Sequence, residues 1–116
     1  MSLKEVMVMM KDQEYGRAAS LLEDEEKDEG KSPKERIELC EWLAECHRQL
    51  EDHKMSGDWH LKAVKRVFSQ QLDVRTKARQ ALPFCQKALD SYKLGGEPVD
   101  ILEAGKLKQR LLELAK

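Results

Sequence analysis

The three histidines of this 116-residue chain, His47, His53 and His60, follow one another at intervals of six and seven. On one unbroken helix the seven-residue interval would set His53 and His60 along a single side, with His47 off it, the start of a ladder suited to a transition metal. The polar stretch Glu51-Asp52 breaks the ladder, and no carboxylate or cysteine completes a tetrahedral set at zinc-site spacing. Cys40, Cys46 and Cys85 are odd in number, and the first two lie six apart, on different faces of a helix. They read as small buried thiols in a reducing compartment, with neither a disulfide framework nor a metal. Gly95-Gly96 lacks the strand, the further glycines and the lysine of a phosphate loop, and the chain holds no Gly-x-Ser-x-Gly and no His-Glu-x-x-His. The expectation is a protein without catalysis, cofactor or metal.

The elements that must carry these residues are helices. Charged residues make up 37% of the chain and aromatics 5%, the profile of an amphipathic helical protein and not of a sandwich or barrel. No apolar run approaches the ~18 residues of a membrane span, and the first residues lack a basic region followed by an apolar stretch and a cleavage site. A soluble, cytoplasmic protein is expected. The net charge of −1 conceals an asymmetry: residues 1–60 carry 9 Lys and Arg against 16 Asp and Glu, residues 61–116 carry 12 against 6. In a linear array this makes a dipole along the molecule, which favours head-to-tail association or a bipolar partner.

Six helical segments can be drawn. The first, about 2–12, presents Leu3, Val6, Met7, Met9 and Met10; the second, about 14–27, presents Ala18, Ala19, Leu21 and Leu22 before the acidic run to Gly30 stops it. Ser32-Pro33-Lys34-Glu35 is a start signal, with Ser32 as cap, Pro33 at the first helical position and Glu35 three residues after the cap. It opens a third helix of about 33–50, with Ile37, Cys40, Ala44, His47 and Leu50 at three- and four-residue steps. The fourth, about 53–69, shows Trp59, Ala63, Val64, Val67 and Phe68. Asp73 caps a fifth whose stripe (Val74, Ala78, Ala81, Leu82, Cys85, Leu89, Tyr92) keeps phase across Pro83, so one kinked helix is expected and not two. Gly95-Gly96 ends it. Pro98 starts a last helix, apolar around much of its circumference through Ile101, Leu102, Leu107, Leu111, Leu112 and Leu114, which either caps the array or serves as a dimerisation surface.

Within the third and fourth helices the small and bulky residues fall in a particular order. Ala44 follows Leu43, a ring (His47) stands one turn on, a polar turn (Glu51-Asp52-His53) intervenes, and then come Ser56, His60 and Ala63. A second copy lies upstream, where Tyr15 matches the turn ring and Ala18 the small residue, giving a period of 38 residues from Ala18 to Ser56. The pattern resembles the tetratricopeptide repeat, whose usual period is about 34 residues. His47 and His60 stand where tyrosine or phenylalanine is usual, and Ser56 where alanine is. The resemblance covers about one and a half repeats. It implies an all-α fold of antiparallel hairpins (about 2–27, 33–69 and 72–116) stacked as a right-handed array in one domain with a C-terminal capping helix.

The resemblance also implies where a partner would lie, in the concave groove lined by the first helix of each hairpin. The corresponding residues are Glu38, Glu41, Glu45, Arg48 and Gln49 on the third helix, and Leu3, Met7, Met10 and Lys11 on the first. Chaperone-binding members of the family hold a peptide carboxylate with lysine, arginine and asparagine at such places. Glu41 and Glu45 argue against that clamp here. An acidic groove flanked by Met7 and Met10 would suit a basic amphipathic helix of a protein or peptide partner, since methionines adapt to varied apolar surfaces. The expected function is therefore a non-catalytic adaptor or scaffold. The alternative is a structural helical bundle that homodimerises through its last helix. A third class is a regulator that attaches to nucleic acid without sequence preference through a basic band of Lys62, Lys65, Arg66, Arg75, Lys77, Arg79 and Lys87, which the acidic first half opposes.

Overall fold

The computed structural model describes residues 3–116 and, for Leu3, the backbone alone. Six helices follow in order: α1 Leu3–Lys11, α2 Tyr15–Glu26, α3 Pro33–Gln49, α4 His53–Phe68, α5 Val74–Gly95 and α6 Pro98–Leu114, with no strand among the described residues. All-α class and helix boundaries agree with the expectation to within a residue or two. The start of α3 forms as its sequence requires. Ser32 Oγ accepts from the Glu35 N–H at 3.2 Å, and Pro33 occupies the first turn. The Glu35 carboxylate accepts from the Ser32 hydroxyl at 3.1 Å. Asp52 and Asp73 cap α4 and α5 through the N–H groups of Met55 and Thr76. α5 runs unbroken through Pro83, as the phase of its apolar stripe predicts.

The turns between α1 and α2 and between α3 and α4 are the same structure written twice. Gln13 (φ 62°) and Glu51 (φ 60°) both adopt the left-handed conformation, 38 residues apart. In the first turn Glu14 N–H donates to Met9 O at 2.8 Å and Gln13 N–H to Met10 O at 3.0 Å; in the second, Asp52 N–H donates to His47 O at 2.9 Å and Glu51 N–H to Arg48 O at 3.0 Å. This pair of bonds satisfies carbonyls that a helix end would otherwise leave orphaned, and the left-handed residue reverses the chain. The link from α5 to α6 is built differently. Gly96 N–H donates to Tyr92 O at 2.7 Å, no positive φ occurs there, and Asp100 accepts from the Glu97 N–H at 2.9 Å.

Each helix packs chiefly on its neighbours in the chain, and the Cα envelope of 42 × 33 × 18 Å is a slab. That thickness matches two layers of helices at the usual ~8–10 Å interaxial spacing. Side chains reveal which helices share a layer. Glu26 of α2 reaches Arg66 of α4, and Lys54 of α4 reaches Asp100 of α6, so the even-numbered helices are bridged side to side. Three apolar clusters succeed one another along the slab: Val6 to Ala63 between α1 and α4, then one around Val64, Ala78, Ala81, Cys85 and Leu111, and one around Ala88, Leu89, Tyr92 and Ala104.

Two polar devices fix the stacking. The Glu26 carboxylate is 1% exposed and has three cations around it: Arg66 at 2.6 Å, Arg36 at 3.5 Å and Lys62 at 3.9 Å. Arg36 also donates to the Glu26 carbonyl at 3.1 Å. A buried carboxylate is tolerable only with such partners, and here they tie α2 to α3 and α4. On α4, Ser56 Oγ donates to Ala44 O at 2.9 Å inside the hairpin. Beside it Gly57 lets the Tyr92 ring come so close that an added Cβ would lie 2.6 Å from it, and Tyr92 donates its hydroxyl proton to Asp58.

Candidate functional site: the groove between α3 and α5

The repeating turn and the two polar devices leave α3 and α5 side by side on the face opposite the bridged even-numbered helices, with an open groove of about 920 Å³ between them. One wall is the outer face of α3: Lys34, Ile37, Glu38, Glu41, Trp42, Glu45 and Arg48, spaced by three and four residues as one helical face must be. The other wall is Lys87, Asp90, Ser91 and Leu94 of α5, and His53 and His60 of α4 lie beneath. A peptide or helix would find apolar seats at Ile37, Trp42 and Leu94; Leu94 is 72% exposed.

The charges on the α3 wall are in different states. Glu45 is saturated: Arg48 donates to it through Nε at 2.8 Å and Nη2 at 2.6 Å, and Gln49 through Nε2 at 2.9 Å. The Arg48 guanidinium accordingly holds the Glu45 carboxyl below its ordinary range. Glu38 and Glu41 are exposed and make no hydrogen bond or ion pair among the described residues. Across the groove Asp90 accepts from Gln86 at 2.9 Å, while Lys87 pairs with no carboxylate. His60 lies on the floor between Glu45 and Lys87. Burial, reinforced by the Lys87 ammonium, lowers it to about 4, so its imidazole is neutral at pH 7. Its Nδ1 has no hydrogen-bond partner, nor has Nδ1 of His53.

Nothing matches this chain among protein-family models, curated proteins or solved structures. Of the expected partner-binding set, Glu38, Glu41, Glu45 and Arg48 line the groove together. Gln49 stands beside it, spent on Glu45. Met7 and Met10 are not part of it: Met10 packs partly buried against the first apolar cluster, and Met7 is exposed on α1, away from the α3–α5 cleft. The Leu3 side chain lies outside the described residues. The groove is also less acidic than expected, because Lys34 and Lys87 contribute to its rim.

Sequence reasoning did not supply Trp42, Leu94 or the rest of the α5 wall. A signal existed. Lys87, Asp90, Ser91 and Leu94 recur at helical spacing on the side of α5 away from the Cys85–Leu89–Tyr92 stripe, and Leu94 is an apolar residue out of phase with that stripe.

Two other constellations resolve into structural roles. Of the basic band, Lys62 and Arg66 go to Glu26, Lys77 donates to Phe68 O at 3.2 Å and Arg79 to Ala115 O at 3.0 Å. Four of its seven cations are thus engaged within the molecule. The three thiols are buried and unbonded to one another. Burial pushes Cys40 up to about 12, Cys46 up to about 11 and raises Cys85, which leaves them as thiols and poor nucleophiles near pH 7. No group of three or more potential metal ligands occurs among the described residues, and none of their helices is long and apolar enough to cross a membrane.

Proposed function

We propose that this chain is a non-catalytic protein-interaction module, a tetratricopeptide-like adaptor or scaffold that receives a peptide or helix of a partner in the groove between α3 and α5. The observation that carries this reading is the groove itself: an open cleft with apolar seats at Ile37, Trp42 and Leu94 beside two exposed carboxylates, Glu38 and Glu41, that the fold does not pair. The 38-residue recurrence of the turn at Gln13 and Glu51 supports the repeat-array part of the reading. Helix-in-groove recognition needs an apolar trough for anchors three and four residues apart and a polar rim for register, and both are present.

The test is peptide selection on the purified protein, followed by competition between the selected peptides. Selected sequences should compete with one another and lose at least tenfold in affinity with Leu94→Asp or Trp42→Ala, both variants keeping the wild-type helical circular dichroism. Binding that survives both substitutions would place the ligand elsewhere and defeat the proposal.

One observation favours a second reading, a homodimer through the last helix. Val99 and Leu102 of α6 are 50% and 57% exposed on its outer face. Light scattering decides it: a dimer present at micromolar concentration and abolished by Leu102→Asp supports the bundle, and a monomer at all concentrations removes it.

A further inference from the structure

Twice this chain sets one of its own lysines against an aromatic ring and a carboxylate together, and a third ring stands near carboxylates that no lysine answers. Lys54 lies 5.8 Å from the centroid of Tyr92 while bridging to Asp58 at 3.8 Å and Asp100 at 3.1 Å. Lys62 lies 5.1 Å from the centroid of Trp59 and 3.9 Å from Glu26. In both cases the ammonium gains the quadrupole of the ring and the charge of the acid together, which neither provides as well alone. The third set is in the groove. Trp42 follows Glu38 by four residues and Glu41 by one, so all three lie on the wall that α3 presents to the cleft. No lysine or arginine of the chain pairs with these two carboxylates: Arg48 is committed to Glu45 one turn further on, and Lys34 and Lys87 make no ion pair with either.

We infer that the groove selects a segment bearing an arginine or lysine, whose cationic head is taken by Glu38, Glu41 and the Trp42 ring while a neighbouring apolar side chain settles on Leu94. This rests on the groove reading proposed above and narrows it to a partner chemistry. The α3 wall sets two unpaired carboxylates against one cation, Lys34, whereas on the α5 wall the one carboxylate, Asp90, already accepts from Gln86. Lys87 repels it from the α5 side, and the neutral His60 adds no positive charge to the floor. Glu45 takes no part, because its oxygens already hold a guanidinium and an amide. Three glutamates on one face therefore divide into two that recognise and one that does not, a division their sequence spacing cannot express.

The probes are two synthetic helical peptides with the same apolar stripe, one flanked by arginines and the other with citrulline in their place, which keeps the shape and removes the charge. Binding is measured by calorimetry to the full chain at two salt concentrations. The arginine peptide should bind at least tenfold more tightly at low salt, and the difference should shrink as salt rises. The double variant Glu38→Gln/Glu41→Gln should erase the difference while leaving the citrulline peptide unaffected, and Glu45→Gln should preserve it. Both variants change exposed or partly exposed side chains outside the core, and a thermal melt checks their folding. Equal binding of the two peptides, or a preference that persists in the double variant, overturns the cation site while the groove reading stands if Leu94→Asp still abolishes binding. Binding of either peptide that persists in Leu94→Asp and Trp42→Ala overturns the groove reading, and absence of binding by both peptides at millimolar concentration overturns both.

Discussion

On the layer that contains α2, α4 and α6, three carboxylates are answered within the chain: Glu26 by Arg36, Lys62 and Arg66, and Asp58 and Asp100 by Lys54, with Tyr92 donating to Asp58. On the groove face, Glu38 and Glu41 are exposed and make no hydrogen bond or ion pair among the described residues. The two regions have the same raw material, glutamates and aspartates on amphipathic helices, and put it to opposite uses. Burial explains the divergence. A carboxylate removed from water must bring its counter-charge with it, whereas an exposed one gains so little from a partner that nothing in folding selects one. Charges needed for assembly of the fold are thus consumed internally, and those left over lie where another molecule can reach them.

The strongest way to break this contrast is to remove the acid from the even-numbered layer. Glu26→Ala should lower stability by about 3 kcal/mol, roughly 10 °C in melting temperature, because two arginines and a lysine are left facing one another in a partly buried site. Glu41→Ala, the matching change on the groove face, should stay within about 0.5 kcal/mol. Equal melting temperatures for the two variants would erase the distinction.

Acid should act on the groove floor. His60 folds with its proton affinity depressed to about 4 by burial and by Lys87, opposed by Glu45. The unfolded chain takes up that proton near an ordinary pKa of about 6.5, so stability is full above that pH and falls as pH drops toward 4, below which both states are protonated. The loss should be about 2 kcal/mol, allowing for the ring's partial contact with solvent. Unfolding midpoints measured between pH 7.5 and 5 should therefore decline, and His60→Gln should flatten the decline. A flat profile for the wild-type chain would contradict the burial of a neutral imidazole.

Glycines sharpen the comparison at smaller scale. Gly57→Ala would drive a methyl into the Tyr92 ring and should cost about 2 kcal/mol, despite the better helix propensity of alanine. Gly105 meets no neighbouring atom within 4 Å, so Gly105→Ala on α6 should raise stability by about 0.5–1 kcal/mol. Chemical denaturation of the two single variants gives both signs directly.

What could be read from the sequence divides along the same line as local and non-local physics. The start of α3 was legible because Ser32, Pro33 and Glu35 act within one turn, and α5 was legible through Pro83 because the Ala78 to Tyr92 stripe holds its phase. The α3 wall of the groove was legible for the same reason, since Glu38, Glu41, Glu45 and Arg48 share a face by periodicity alone. The α5 wall was not, because which face of α5 meets α3 depends on Gly57 admitting Tyr92, residues 35 apart in the chain. The basic band looked like a surface because Glu26 lies 40 residues from Arg66, and no spacing rule connects them.

The slab in which each helix leans on its chain neighbours also has a history in time. Contacts that are mostly between adjacent elements cost little loop entropy to form, so such a chain can begin folding at more than one hairpin and should do so quickly. The clusters around Cys85 and Tyr92 contain no residue of α1 or α2. The first cluster joins Val6, Ala18, Ala19 and Leu22 of the N-terminal hairpin to Leu39 and Leu43 of α3, with Trp42 packed against it, so opening of that hairpin would loosen the α3 wall of the groove while the α5 wall keeps its support.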